Sequence, residues 1–249
     1  MNILVVADIH YSLKQFDWLL ERAVGYEAVI IAGDLLDLQG HATMDAQIVV
    51  ASKYLKRLTS LTTVIASSGN HDGDVQTQSG EYVAEWLKEA GGGRLYVDGQ
   101  SVVFGDTLVT ICPWWEGARG RADVERFLEA EELRRVRRWI WVNHAPPNDS
   151  RVSWTGKKFF GETEVNALVQ RFKPDAIISG HVHNSPFFPQ GSWFDLVGKT
   201  WVFNPGRQMG SIPAYIELDL AAWRAGWVSE MDEQQFSLDD LEAVGRSLT

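Results

Sequence analysis

Asp8-Ile9-His10, Gly33-Asp34, Gly69-Asn70-His71-Asp72, His144 and Gly180-His181-Val182-His183 gather five of the chain's six histidines with carboxylates and one amide. Carboxylate oxygens and imidazole nitrogens suit hard or borderline divalent cations, and a pair of cations needs a group able to bridge them. The motifs hold no cysteine, which speaks against a closed structural zinc site. Taken singly, each residue would pass for a cap or a hydrogen-bonded loop residue. Spaced pairs repeated in this order, each after an apolar run, do not fit that bland explanation. His41 stands outside the motifs and reads as a loop residue.

The elements that must position these side chains follow from the apolar pattern. Runs at 3–7, 29–32 and 63–66 each end in a motif and are followed by helix-like stretches at 16–24, 44–58 and 81–90. Continuous β-branched runs suit strands buried on both faces, and open α/β sheets place their sites at the carboxyl ends of such strands. A hairpin is expected from 101–104 and 108–112 around Gly105-Asp106, then a charged helix near 123–135. Strands at 139–142 and 176–179 deliver His144 and the Gly180-His181-Val182-His183 motif. Further strands are expected at 193–197, 200–203, 214–218 and 223–228. No linker divides the chain, and the motifs would straddle any cut, so 1–249 reads as a single domain. The acidic stretch 230–249, with Ser237 as a cap, reads as a terminal helical extension.

Composition narrows the functional classes. A formal charge of −10 argues against a broad basic surface for extended nucleic acid. No apolar stretch approaches the ~20 residues of a membrane-spanning helix. The lone Cys112 can make no intramolecular disulfide, and no leader precedes the first strand-like run, so a cytoplasmic protein is expected. Oligomeric state is not legible.

The motifs, in this order from residue 8 to residue 206, resemble the calcineurin-like metallophosphoesterase superfamily. The resemblance implies an α/β fold, a four-layer αββα sandwich of two mixed β-sheets flanked by helices. It implies one metal held by Asp8, His10, Asp34 and His183, and another held by Asp34, Asn70, His144 and His181. In such enzymes a metal-bridging hydroxide attacks phosphorus in line, and the residue matching His71 assists the leaving group as an acid. Asp37 stands where related protein phosphatases orient that histidine. Two divalent cations outweigh Asp8 and Asp34 and leave a positive pocket suited to an anionic ester. Manganese is favoured among Mn, Fe, Zn, Co and Ni, all of which these donors accept.

The protein phosphatases of the superfamily carry arginine where this chain has Leu38, which turns the reading away from them. Gly-Asn-His-Asp also occurs in its repair nucleases, but their added DNA-binding domain and basic surface are not evident. A small phosphate ester remains as substrate, a phosphodiester foremost and a nucleotide among the candidates. A phosphomonoesterase is the alternative, and an inactive binding scaffold a further one. Arg207, in a turn resembling one common in the superfamily, could bind phosphate with its bidentate fork. Trp114 and Trp154, with Lys157 and Lys158, are candidates for a substrate rim. Tyr11 replaces the glycine of many relatives and would narrow the approach to the first metal.

Overall fold

The computed structural model describes residues 1–240. The βα rhythm expected at the amino end is present: β1 (Asn2–Val6), α1 (Leu13–Arg22), β2 (Ala28–Ala32), α2 (Met44–Thr59) and β3 (Thr63–Ser67) follow in order. Next come β4 (Val75–Gln76), β5 (Tyr82–Val83), α3 (Glu85–Ala90) and β6 (Leu95–Tyr96). The middle comprises β7 (Ser101–Phe104), β8 (Thr107–Ile111), α4 (Ala118–Glu132), β9 (Arg138–Val142), α5 (Thr163–Phe172) and β10 (Ala176–Ile178). The chain then adds β11 (Phe194–Val197), β12 (Thr200–Phe203), β13 (Tyr215–Asp219), β14 (Arg224–Val228) and β15 (Glu233–Ser237).

Two mixed sheets result, in the orders β15-β14-β13-β1-β2-β3-β6 and β11-β12-β10-β9-β8-β7. Alternate side chains leave a strand on opposite faces, so β1 sends Ile3 and Val5 inward and Leu4 and Val6 outward. The inward set meets Ile111, Ile140, Val142 and Ile178 of the second sheet. Outward residues of the first sheet pack against Phe16 and Leu19 of α1 and Leu55 of α2, while Trp139, Trp141 and Ile177 of the second meet Leu128 of α4 and Phe172 of α5. The four layers are therefore αββα, as expected, and β1, β2, β3, β9 and β10 end at the same seam between the sheets. Among the described residues no helix is long and apolar enough to cross a membrane.

Departures from the sequence reading have local causes. The helix expected at 81–90 begins at Glu85, because Tyr82–Val83 pair with Val75–Gln76 and Asp74 Oδ1 accepts the Glu85 N–H at 2.7 Å. Helix α5 was not anticipated. The helical extension expected at 230–249 is corrected over Glu233–Ser237, which pairs antiparallel with β14. Phe236 packs 4.4 Å from Phe194 and Gln234 accepts the Trp193 indole N–H at 2.9 Å, contacts between distant segments that outweigh local helix propensity. Residues 241–249 of that extension lie outside the described residues.

The sheets are also tied by a buried cation. Arg138, on β9, donates to the Leu220 carbonyl beyond β13 at 2.8 Å and lies 4.4 Å from the Trp223 ring centroid. A charged hydrogen bond and a desolvated cation–π contact are each worth about 2 kcal/mol. Arg138→Met is expected to cost about 2–3 kcal/mol, read as a Tm about 4–12 °C lower in thermal unfolding; an unchanged Tm would show that the tie contributes nothing.

Candidate metal centre

The loops after the five converging strands are laced to one another. Asp8 N–H donates to Gly33 O (3.1 Å), His10 N–H to Asp34 O (2.9 Å) and Gly180 N–H to His144 O (2.9 Å). To aim inward, Asp8, His10, Asp34 and His181 adopt left-handed backbone with φ of 54°, 45°, 54° and 68°. Such conformations cost of order 1–3 kcal/mol each and persist where surrounding structure enforces them. Gly33 and Gly69 are required by close approach: a Cβ at Gly33 would strike the His144 ring, and one at Gly69 would strike both the Asp34 carboxylate and His144.

Asp8, His10, Asp34 and His183 each offer one ligand atom, and these atoms lie within 4.8 Å of one another. The Nε2 atoms of His10 and His183 face each other at 3.0 Å, and His183 Nε2 lies 3.5 Å from Asp8 Oδ1. On the other side of Asp34, His144 Nε2 stands 3.2 Å from Asp34 Oδ2, and His181 Nδ1 meets Asn70 Oδ1 at 2.8 Å. The structure thus brings all seven sequence-derived ligand candidates together. His144 Nδ1–H donates to the Ala32 carbonyl at 2.7 Å, so in the neutral ring Nε2 carries the free lone pair. Buried Asp8 Oδ2 and His144 Nε2 have no hydrogen-bond partner. Unpartnered buried acceptors beside paired carboxylates fit a divalent cation.

Titration behaviour tells the same story. Burial raises the Asp34 carboxyl, but His144, His10 and the His71 N–H together hold the group below the usual range. Burial likewise disfavours charge on His144, yet Asp34 pushes it up to about 9. Burial and the neighbouring His144 lower His181 to about 4. The paired carboxylates therefore demand positive charge at this seam; a proton on His144 answers that demand, and a cation answers it while leaving the imidazole neutral.

His71 lies beside this cluster, its ring edge-on to His10 with centroids 4.5 Å apart. Leu38 N–H donates to His71 Nδ1 at 3.2 Å, so a neutral ring carries its proton on Nε2. Asp37 offers an oxygen within 4.8 Å of His71 and His10, while its Oδ1 accepts the Gln39 N–H at 2.9 Å. Arg207 is half-buried, its N–H bonded to the His183 carbonyl at 2.9 Å, and its charge acts on His10. Trp114 lies 5.5 Å from His181 and 5.7 Å from His144 between ring centroids. Trp154 instead packs on Phe159 at 5.0 Å. His41 is exposed.

Two supporting residues carry roles the sequence reading missed. Buried Asp72 accepts the N–H groups of Leu35, Leu36 and Gly69 at 3.3, 2.9 and 2.8 Å, pinning the Asp34 loop to the Asn70 loop. Asn204 Nδ2 donates to the carbonyls of Gly180 and Val182, both at 3.0 Å, and so holds the loop of His181 and His183. Phe160, stacked on His181 at 5.1 Å with an interplanar angle of 16°, closes one side. Its position at the end of the aromatic and lysine run after His144 was the available signal.

Residues 1–185 match the calcineurin-like phosphoesterase family, and the chain belongs to it. It is a metal-dependent phosphoric ester hydrolase with a cluster fit for a divalent cation. No curated protein matches it in sequence. Among solved structures it is similar to TT1561 of Thermus thermophilus, at 15% identity over 95% of this chain and 98% of that one, with a TM-score of 0.60. It is also similar to YfcE, a phosphoesterase from E. coli, at 16% identity over 96% and 100%, with a TM-score of 0.48. The likeness to TT1561 bears on the fold.

Gly69→Ala is expected to abolish high-affinity metal binding and hydrolysis while leaving the far-ultraviolet circular dichroism intact; metal content after dialysis checks it, and full loading would refute the packing argument. A second test concerns Asp98, whose Oδ1 accepts the Ser68 N–H at 2.9 Å beneath Trp114. Burial raises its carboxyl from 3.8 to about 6. Such a group stabilises the native state when protonated, and that stability is lost as pH rises from about 4 through about 6. Asp98→Asn should therefore gain stability relative to the parent across that interval and level off above it in urea unfolding; a pH-independent difference would sink this assignment.

Proposed function

We propose that the chain hydrolyses small phosphodiesters, nucleotide-type esters foremost, at a two-cation centre bridged by Asp34. The observation that carries this reading is the convergence of the seven donors around Asp8 and Asp34, with Asp8 Oδ2 and His144 Nε2 buried and unpartnered. Asp8, His10, Asp34 and His183 would hold one cation, and Asp34, Asn70, His144 and His181 the other. Bound there, divalent cations would neutralise phosphate charge and activate water for in-line attack. Oxygen and nitrogen donors without thiolate suit Mn first, and Fe, Zn, Co or Ni as well.

The remaining steps fall to the chain's own groups. His71 would act as the imidazolium, delivering its Nε2 proton to the departing oxygen, with its Nδ1–H turned from the Leu38 N–H to the carboxylate of Asp37, its positioning residue. Arg207 supplies a guanidinium on the His10 side for a non-bridging phosphoryl oxygen. Trp114 borders the substrate on the His144 side, and Trp154 supports the rim through Phe159. Leu38 occupies a position where arginine would add a second guanidinium for a dianionic monoester, so a monoanionic diester is the better match. Both sheets contribute donors, which supports reading 1–249 as one domain.

Manganese-loaded protein is expected to turn over bis(p-nitrophenyl) phosphate faster than p-nitrophenyl phosphate, with activity lost in EDTA and in Asp34→Ala. Preference for the monoester would move the reading to a phosphatase, and silence on both to a binding scaffold. His71→Ala should lower kcat by about 10²–10⁴-fold for an alkoxide leaving group and far less for p-nitrophenolate, which needs no proton. Equal losses on both would remove His71 from the acid role.

A further inference from the structure

Beyond the donors, the segment 153–160 forms a small pinned hairpin at the mouth of the site. Trp154 bridges to Phe159 in antiparallel fashion, Phe160 N–H donates to Ser153 O at 2.8 Å, and Thr155 N–H donates to Lys158 O at 3.0 Å. At its base Asp195 Oδ2 accepts Ser150 Oγ–H at 2.9 Å and Arg151 N–H at 2.7 Å. The hairpin backbone is therefore held in place rather than trailing in solvent.

What it presents is an aromatic ring and two cations. Phe160 lies parallel to the His181 imidazole yet stays 48% exposed, with Lys158 Nζ 5.3 Å from its ring centroid. Lys157, the preceding residue, is exposed. A ring serving only to shield His181 would not need to leave half its surface in water, and Trp114 already lies 5.5 Å from that imidazole. Exposed aromatic faces bind flat π-systems, and a flexible lysine over the ring can give way and exchange its cation–π contact for a phosphate.

We infer that Phe160 is the platform on which an aromatic base of the substrate stacks, with Lys157 and Lys158 meeting a further phosphate, so that the 153–160 hairpin selects nucleoside phosphate esters. This rests on the phosphoesterase reading above. A base on the open face of Phe160 would lie one ring beyond His181, itself one of the converging donors. The arrangement adds positive charge locally to a chain whose formal charge is −10.

The test compares thymidine 5′-(p-nitrophenyl phosphate) with methyl p-nitrophenyl phosphate, which share a leaving group and differ in the retained ester. The parent should favour the nucleoside ester in kcat/KM, and Phe160→Ala should reduce that ratio about 5- to 50-fold, mainly through KM, given the usual strength of base stacking. Phe160→Trp should keep the preference, and Lys157→Ala with Lys158→Ala should weaken the binding of adenosine 5′-diphosphate more than that of the monophosphate. A ratio equal in Phe160→Ala and the parent, with both esters slowed together, overturns the platform and leaves a shield. Calorimetric titration of metal-loaded protein with adenosine 5′-monophosphate separates the two readings. Affinity that depends on Phe160 without hydrolysis of either ester upholds the platform and sinks the hydrolase reading, whereas hydrolysis of both esters with no dependence on Phe160 sinks the platform alone.

Discussion

Asp8 and Asp34 are the constraint around which the molecule is arranged. Both are buried at the seam between the two sheets, where an isolated carboxylate would be severely penalised. Part of the compensation is local, since Asp8 Oδ1 accepts the His181 N–H at 3.0 Å and Asp34 Oδ1 accepts the His71 N–H at 2.9 Å. Those bonds leave Asp8 Oδ2 unpartnered. The rest must come from positive charge between the carboxylates, and imidazoles from both sheets point there. Paired carboxylates, converging histidines and the implied cations are one electrostatic arrangement, and removing any member leaves the others unbalanced.

That arrangement dictates the backbone. Side chains leaving a strand end reach the seam only if the next peptide turns sharply, and Asp8, His10, Asp34 and His181 all do so with left-handed φ. Aspartate and histidine tolerate this region better than β-branched residues do. The strain is held by bonds between loops, with Asp72 clamping three N–H groups and Asn204 two carbonyls that flank the histidine loop. Stability and function are coupled here: the hydrogen bonds that enforce strained turns are the same ones that set the spacing of the donors.

The convergence of the candidate donors was legible in the sequence because each is a chemically distinctive residue after an apolar run, and strand ends bring such positions together without further information. The supporting contacts were not, since they depend on partners far along the chain. Asp72 sits inside a motif but its partners at Leu35 and Leu36 lie 37 and 36 residues away. Trp114 does lie against the histidines, whereas Trp154 turns to Phe159, and no local pattern distinguishes the two. The carboxyl end failed for a related reason. Residues 233–237 have modest local preference, and their state is decided by the open edge of β14 and the aromatic surface that receives Phe236.

Charge distribution reconciles an acidic protein with an anionic substrate. At a Debye length near ~8 Å, exposed carboxylates elsewhere on the surface are largely screened from the seam, while groups lining it act through low dielectric. On the proposed reading, the potential felt by a phosphate would be set by bound cation, by Arg207 and, at the mouth, by Lys157 and Lys158. The acidic remainder acts at longer range and opposes long polyanions that would have to lie across it, whereas a short ester meets only the positive seam. On that reading the sign of the surface would act on substrate size together with the shape of the loops.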